Sequence, residues 1–362
     1  MLDLLSLAFL HALPPETAHE VGLRALRYGL LPPQKFLGKG ILTKFVPNKM
    51  LSQNILGLDF KNPVGMAAGF DKNAEVINQL LMQGFGFVEA GTVTPLPQSG
   101  NPKPRVFRLT EDKAIINRLG FNNKGLDYFV QNFSKHSKWL GIAGANIGKN
   151  KDTENAAEDY VRGLKAVYPY ADYITINISS PNTEGLRDLQ HREALSELLS
   201  ELVQTRDRMV SFYGKRVPLF LKIAPDIDGN ECEDIAEVVL KHAIDGLVVS
   251  NTTISRPQPL INYNRNETGG LSGKPLFSLS TKVLSIMYKL TSGKIPIIGV
   301  GGISSPEDAY IKIRAGASLI QFYSAITYEG FWLVRSINEK LPILLSQDGF
   351  SNISEAIGTN IN

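Results

Sequence analysis

The sequence predicts an α/β fold, a (β/α)8 TIM barrel with a small N-terminal helical extension. Three observations carry the prediction. From residue 64 onward, about eight short apolar runs alternate with helix-sized intervals, and repeated strand–helix units of that number close into a parallel barrel. Each run ends in small or polar residues at the same relative place. No low-complexity segment breaks the alternation. The composition agrees, since 362 residues with 43% hydrophobic and 20% charged suit one large domain plus an appendage. We divide the chain into an N-terminal element, residues 1–45, and a barrel, residues 46–362.

Met1 to Leu13 is mostly apolar, interrupted by Asp3, Ser6 and His11. A bilayer crossing needs roughly 20 apolar residues, so this stretch is too short. It also lacks the basic start and small-residue cleavage site of a signal peptide. Pro14-Pro15 restarts the chain, and Thr17-x-x-Glu20 fits a capping box opening a second helix to about Leu30, which Pro32-Pro33 ends. Lys+Arg is 38 and Asp+Glu is 35, a net +3. Residues 1–50 hold six cations (Arg24, Arg27, Lys35, Lys39, Lys44, Lys49) against three acids (Asp3, Glu16, Glu20), so they account for the whole surplus. The balance gives no sign of a nucleic-acid partner. Two short amphipathic helices with localised positive charge suit an interfacial membrane element, or else a hairpin packed on its own domain. His19 shares a helical face with Leu23 and Leu26, which by itself reads as a structural histidine.

Residues Ile55 to Phe60 read as a capping hairpin. The barrel strands are then expected at Val64–Ala67, Phe87–Ala90, Ile142–Ala145, Tyr173–Ile176, Leu219–Ile223, Gly246–Val249, Ile297–Val300 and Leu319–Phe322. Two intervals, residues 91–141 and 251–280, are longer than a helix needs, and such excursions are where barrels keep lids and substrate loops. The lone cysteine, Cys232, excludes an internal disulfide, fits a reducing compartment and reads as packing.

In a barrel the C-terminal ends of the strands form the working face. The endings are Ala68 to Lys72, Gly91 to Thr94, Asn146 to Asn150, Asn177 to Thr183, Lys222 to Asp226, Ser250 to Thr253, Gly301 to Ser304 and Tyr323 to Ala325. Gly301-Gly302 and Tyr323-Ser324 follow the last two strands, where backbone N–H groups and a helix N-terminus can hold a phosphate; tight turns alone would also need these glycines. No GxGxxG opens a βαβ unit, so a mononucleotide-sized cofactor fits better than a dinucleotide. Lys222 lies in an apolar strand and needs an anionic partner, a reduced flavin or a phosphate, unless its end reaches solvent. Asn117, Asn146, Asn177, Asn182 and Asn251 gather at these ends. Amides both donate and accept, so the set matches a ring edged with alternating N–H and C=O, such as a cyclic ureide. Lys72 adds a positive charge for a substrate carboxylate, or pairs with Asp71. The five histidines, His11, His19, His136, His191 and His242, avoid the strand ends, which argues against a Ser-His hydrolase and a His-rich metal site.

The motifs AAGFDKN (67–73), GTVTPLPQ (91–98), PRVFRL (104–109), INRLGFNN (116–123), NIGKN (146–150), NISSPNTEGLR (177–187), LKIAPD (221–226), SNTT (250–253), GGLSG (269–273), GVGGI (299–303) and FYSA (322–325) cover nearly the whole barrel. Together they resemble dihydroorotate dehydrogenase. PPETAHE (14–20) is similar to the quinone-site helix of the class 2, quinone-reducing, membrane-associated branch. Ser250 stands where some members have threonine, which keeps a hydroxyl.

The resemblance implies FMN as cofactor and oxidation of dihydroorotate to orotate in pyrimidine synthesis. It implies that Ala68, Gly69, Thr92, Asn146, Asn177, Lys222, Ser250, Gly273, Gly302, Tyr323 and Ser324 hold FMN. It places Lys72, Asn117, Arg118, Leu119, Gly120, Phe121, Asn177, Asn182, Asn251 and Thr252 around the substrate, with Ser180 as catalytic base. His19 and Arg108 match the polar residues of a quinone tunnel, with Tyr323 between tunnel and flavin. The resemblance further implies peripheral membrane contact through the N-terminal helices, on the cytoplasmic face of the inner membrane in a bacterium. A mitochondrial site fits less well without a transit peptide, and no cysteine cluster calls for an iron–sulfur subunit. The rival readings are another FMN barrel oxidoreductase acting on a pyrimidine base, a non-redox sugar-phosphate lyase or isomerase barrel, and a non-catalytic membrane-binding module, against which the eight polar strand ends argue.

Overall fold

The computed structural model describes residues 10–31, 48–257 and 259–361. The N-terminal extension contributes helix α1 (Pro15–Arg27). Pro14 is its N-cap, so the helix opens ahead of Thr17 and the expected capping box does not form. A proline at the first helical position has no N–H to satisfy and a φ already suited to the helix, which moves the start forward. The helix ends at Arg27, short of Leu30, and Gly29 beyond it adopts the left-handed φ of 69° typical of a stop. Most of the first expected helix falls on residues 1–9, and Lys35, Lys39 and Lys44 fall on residues 32–47; both lie outside the described residues. Among the described residues no helix is long and apolar enough to cross a membrane.

The chain then enters the barrel through the hairpin of β1 (Gln53–Ile55) and β2 (Leu58–Phe60). Next come β3 (Val64–Met66) and β4 (Phe87–Val93), separated by the helix Ile77–Met82. The first long excursion carries an antiparallel pair, β5 (Val106–Leu109) and β6 (Ala114–Asn117). The barrel resumes with β7 (Ile142–Ile147), β8 (Tyr173–Asn177), β9 (Leu219–Ile223) and β10 (Gly246–Val249). The second long excursion adds β11 (Gly270–Gly273), which pairs with β6. The chain closes the barrel with β12 (Ile297–Val300) and β13 (Leu319–Phe322). Strands β3, β4, β7, β8, β9, β10, β12 and β13 pair in parallel in that order and β13 returns to β3, as the eight apolar runs predicted. The two excursions therefore meet in one three-stranded sheet, β11-β6-β5, above the rim.

Helices cover the outside of the barrel, so each strand is buried on both faces and reads as a continuous apolar run rather than an alternation. Inside the barrel, Phe60 from the hairpin joins Phe87, Ile142, Tyr173, Phe220 and Leu319 in one apolar cluster. Most of these open their strands, so the N-terminal end of the barrel is plugged. Cys232 is 1% exposed and belongs to the outer core, where burial pushes its thiol up to about 11. Register aligns the opposite rim: Asn177 lies level with Lys222 across β8–β9, and Gly91 level with Asn146 across β4–β7.

Candidate active site

A cavity of about 870 Å3 opens at the C-terminal end of the strands and continues beneath α1. Its deep end is walled by the strand endings and its outer end by the inner face of α1. The helix is fixed over the mouth by Glu16, whose carboxylate accepts from Nε and Nη2 of the nearly buried Arg105. Arg105 Nη1 also donates to the carbonyls of Ser99 and Asn101, so one guanidinium joins α1 to the first excursion.

The expected amide ring is present and its members bond to one another. Asn177 Nδ2 donates to Thr92 Oγ1 at 2.8 Å, and Asn177 Oδ1 accepts from Asn251 Nδ2 at 3.3 Å. Asn182 Nδ2 reaches the backbone carbonyl of Asn117 at 3.1 Å, tying the loop after β8 to β6. The serine pair is divided by this network. Ser179 is fully buried, donates from Oγ to Asn177 Oδ1 and accepts from Asn251 Nδ2, so its hydroxyl is committed. Ser180 lies in the cavity wall, and among the described residues its Oγ accepts only the N–H of Asn182, at 3.3 Å. The free hydroxyl of the pair is Ser180.

Besides Lys124, which donates to Glu75 at 3.0 Å, two lysines line the cavity. Lys222 is 5% exposed, so it does not reach solvent, and burial pulls its ammonium below the usual lysine range although Glu89 opposes the shift. Among the described residues no group hydrogen-bonds or ion-pairs with it. Lys72 is held down to about 8, chiefly by burial. It does not pair with Asp71. That carboxylate accepts the backbone N–H groups of Glu75 and Val76, both at 2.8 Å, and burial pushes it up to about 6. Two cations in one cavity wall, with no carboxylate paired to either among the described residues, suit anions from outside the chain.

Gly301 and Gly302, with φ of 109° and 79°, sit in the cavity wall beside Gly273 and Ser324. A Cβ on Gly302 would lie 2.5 Å from the backbone nitrogen of Phe277, where the helix Phe277–Leu290 begins. Packing alone therefore requires glycine here, and the same close approach leaves the backbone bare toward the cavity. Ser324 Oγ is within 2.7 Å of Ser272 Oγ, which links the last strand ending to β11.

Toward α1 the cavity narrows past Tyr323, whose hydroxyl lies 3.3 Å from His19 Nδ1. The His19 ring also meets Phe70 edge-on at 5.2 Å. Burial, with Lys72 nearby, pushes His19 down to about 3, so it is neutral at physiological pH. Arg108 donates from Nη1 to the carbonyl of His11 at 3.0 Å, while its buried Nε has no partner among the described residues.

Of the other expected residues, Ala68, Gly69, Ser250 and Thr252 line the deep wall, and Leu119, Gly120 and Phe121 line it from the first excursion. Two stand elsewhere. Asn146 lies behind Thr92, accepting its hydroxyl at 2.6 Å. The guanidinium of Arg118 meets Glu267 at 2.7 Å and lies over the Phe107 ring, outside the cavity wall. Sequence reasoning missed Glu89, which is fully buried inside the barrel and accepts from Asn146, Tyr173, Thr175 and Gln321. Its signal was a charge in the middle of an apolar strand. It also missed Arg187, inside the NISSPNTEGLR motif, which donates to the carbonyls of Ser179 and Thr252 and to Asp226, clamping the loops after β8, β9 and β10.

The dihydroorotate dehydrogenase family's sequence model matches residues 50–345. The dihydroorotate dehydrogenase (quinone) of Azorhizobium caulinodans is 50% identical over 355 residues, covering 98% of this chain and 97% of its own. That of Parvibaculum lavamentivorans is 50% identical over 364 residues and covers all of both. The crystal structure of dihydroorotate dehydrogenase from Eimeria tenella in complex with ferulenol superposes with a TM-score of 0.89 at 44% identity, over 96% of each chain. Its ligand-free form gives the same TM-score at 45% identity, over 96% of this chain and 99% of that one. A barrel with these endings, a family match over most of its length and half-identical relatives from end to end lead to one conclusion: the chain belongs to the dihydroorotate dehydrogenases, in their class 2, quinone-dependent branch.

Proposed function

We propose that this chain oxidises dihydroorotate to orotate with FMN as its flavin, and that the electrons leave beneath α1 to a quinone. The observation that carries the reading is a pair of cations, Lys72 and Lys222, without partners among the described residues, in one cavity walled by amides. Lys72 suits the substrate carboxylate. Lys222, inside the barrel rim, suits a flavin ring that gains negative charge. The bare backbone of Gly301-Gly302 with Ser324 suits the single phosphate of FMN. When bound, FMN supplies the hydride acceptor for substrate C6 and holds the two electrons that a quinone then removes.

The protein's own residues do the rest. Asn117, Asn177, Asn182 and Asn251 hold the ring edge, and Thr252 closes the same wall. Ser180 Oγ takes the proton from C5 as its own hydroxyl proton passes to water. A neutral serine is a weak base, so this transfer depends on being coupled to loss of the hydride from C6. Lys222 offsets the charge that arrives on reduction. His19, Tyr323 and Arg108 are the polar groups along the path from the rim to α1, and Arg108 Nε is a free donor for a quinone carbonyl. We place the chain at the cytoplasmic face of the inner membrane, held peripherally by its N-terminal element.

The test is the visible spectrum. The purified protein should show bound flavin, and dihydroorotate should bleach it without added quinone. Ser180→Ala should retain the flavin and lose the bleaching. A colourless protein would favour the sugar-phosphate reading, and normal bleaching in the variant would remove Ser180 as the base.

A further inference from the structure

We infer that Glu89 is a positioning residue that fixes which way round Asn177 and Asn251 present their amides to the substrate. The inference rests on the reading of the cavity given above. It starts from the direction of each hydrogen bond. Glu89 Oε1 accepts from Asn146 Nδ2 at 2.7 Å. Asn146 Oδ1 then accepts from Thr92 Oγ1 at 2.6 Å, and Thr92 Oγ1 accepts from Asn177 Nδ2 at 2.8 Å. Asn177 Oδ1 accepts from Asn251 Nδ2 at 3.3 Å, and Asn251 Oδ1 accepts the N–H of Thr252 at 2.8 Å. Five bonds run in one direction, from a backbone N–H at the outer end to a carboxylate at the inner end.

The N–H of Ser179, 3.3 Å from Asn177 Oδ1, favours the same sense, but amides and hydroxyls can each be turned to donate or accept, so the side chains of such a relay have no direction of their own. Its ends supply one. Four groups donate to Glu89: Asn146, Tyr173, Thr175 and Gln321. An acceptor-only partner at that point forces Asn146 to aim its NH2 inward, and every later link follows. Turning any one amide over would oppose two acceptors, or two donors, in a buried site.

The consequence appears at the cavity. Asn177 gives one N–H to Thr92 and keeps the other. Asn251 gives its N–H groups to Asn177 and to Ser179 Oγ, and keeps a carbonyl lone pair beside the bond from Thr252. The wall therefore offers a donor next to an acceptor, the complement of one C=O and one N–H on a cyclic ureide. Glu89 sets that order without touching the substrate.

The experiment is orotate binding by calorimetry to flavin-loaded protein. Glu89→Met removes the inner acceptor and should weaken orotate about tenfold or more, the loss of one well-made buried hydrogen bond. Glu89→Gln should bind orotate nearly as the parent does. Its carbonyl can accept from Asn146, while its NH2 faces two hydroxyls free to turn and the partnerless Oε1 of Gln321. Tyr173→Phe removes a donor to Glu89 outside the relay and should leave orotate binding unchanged. Equal weakening in the Gln and Met variants would mean that the charge matters and not the hydrogen-bond direction, and would overturn the inference. So would parental affinity in Glu89→Met. Should Glu89→Met not fold, Asn146→Leu cuts the same link from a side chain behind the cavity wall, and unchanged orotate binding there overturns the inference equally. A parent protein that does not bind orotate sinks the reading of the site and this inference with it; binding that is equal across all variants sinks the inference alone.

Discussion

At the residue scale, the proposed recognition of the substrate carboxylate depends on the charge of Lys72. Burial holds it down to about 8; Glu16, Asp71 and Glu20 push it back up and Arg105 pushes it further down. Below that pH the free protein carries the ammonium that orotate needs; above it the charge is lost while the orotate carboxylate stays ionised. Orotate affinity should therefore be flat from neutral pH to about 8 and then fall roughly tenfold per unit, as expected for one required proton. A bound carboxylate raises the lysine again, so kcat should fall at a higher pH than kcat/KM. Lys72→Met should bind orotate weakly at every pH, with no step near 8. A step that survives in this variant would assign it to another group. Sequence placed Lys72 at the rim but left its partner open, because Asp71 is adjacent in the chain. Only the fold shows that the Asp71 carboxylate is taken by the N–H groups of Glu75 and Val76. Ser180 and Ser179 were likewise inseparable by residue type. Their difference lies in which hydroxyl the amides of Asn177 and Asn251 capture.

At the scale of elements, strand positions were legible because parallel barrel strands are buried on both faces and leave continuous apolar runs. The excursions were legible only as length. That residues 91–141 and 251–280 build one sheet depends on β11 pairing with β6, a contact across about half the chain that no local pattern records. The start of α1 was misplaced because a capping-box pattern competed with a proline that opens a helix without a cap. The position of α1 over the cavity, held by Glu16 and Arg105, gives the element its test. Removing residues 1–45 takes away the outer wall and the Glu16 carboxylate but none of the strand endings. The truncated protein should still be bleached by dihydroorotate, and its reoxidation by a lipid-like quinone should be slowed far more than that step. An unchanged quinone rate would reduce the N-terminal element to a structural role. Because Arg105 also braces Ser99 and Asn101, orotate affinity should fall modestly through loss of loop order.

Across the whole molecule the barrel divides its labour by end. The N-terminal end is filled by aromatic and aliphatic side chains, with Phe60 of the hairpin packed edge-on to Phe87 at 5.3 Å. The layer between this plug and the C-terminal end gives up apolar packing for Glu89, Asn146, Thr175 and Gln321, all fully buried and joined by hydrogen bonds. This division explains what sequence could and could not show. Apolar runs and their polar endings are one-dimensional features and survive in the sequence. The interior polar cluster comes from three-dimensional register, with four strands each supplying one residue, and apart from Asn146 each of those residues looks incidental in its own strand. The division also makes a prediction about independence of the two ends. Phe60 is 3% exposed and packs edge-on against Phe87, the first residue of β4, so Phe60→Ala leaves a cavity in the plug. It should cost about 3–5 kcal/mol of stability, the usual range for a buried phenylalanine. Flavin spectrum and orotate affinity, measured well below the lowered melting temperature, should match the parent. If orotate binding weakens in step with stability, the plug is mechanically coupled to the rim, and the barrel is not the rigid spacer between two ends that its packing implies.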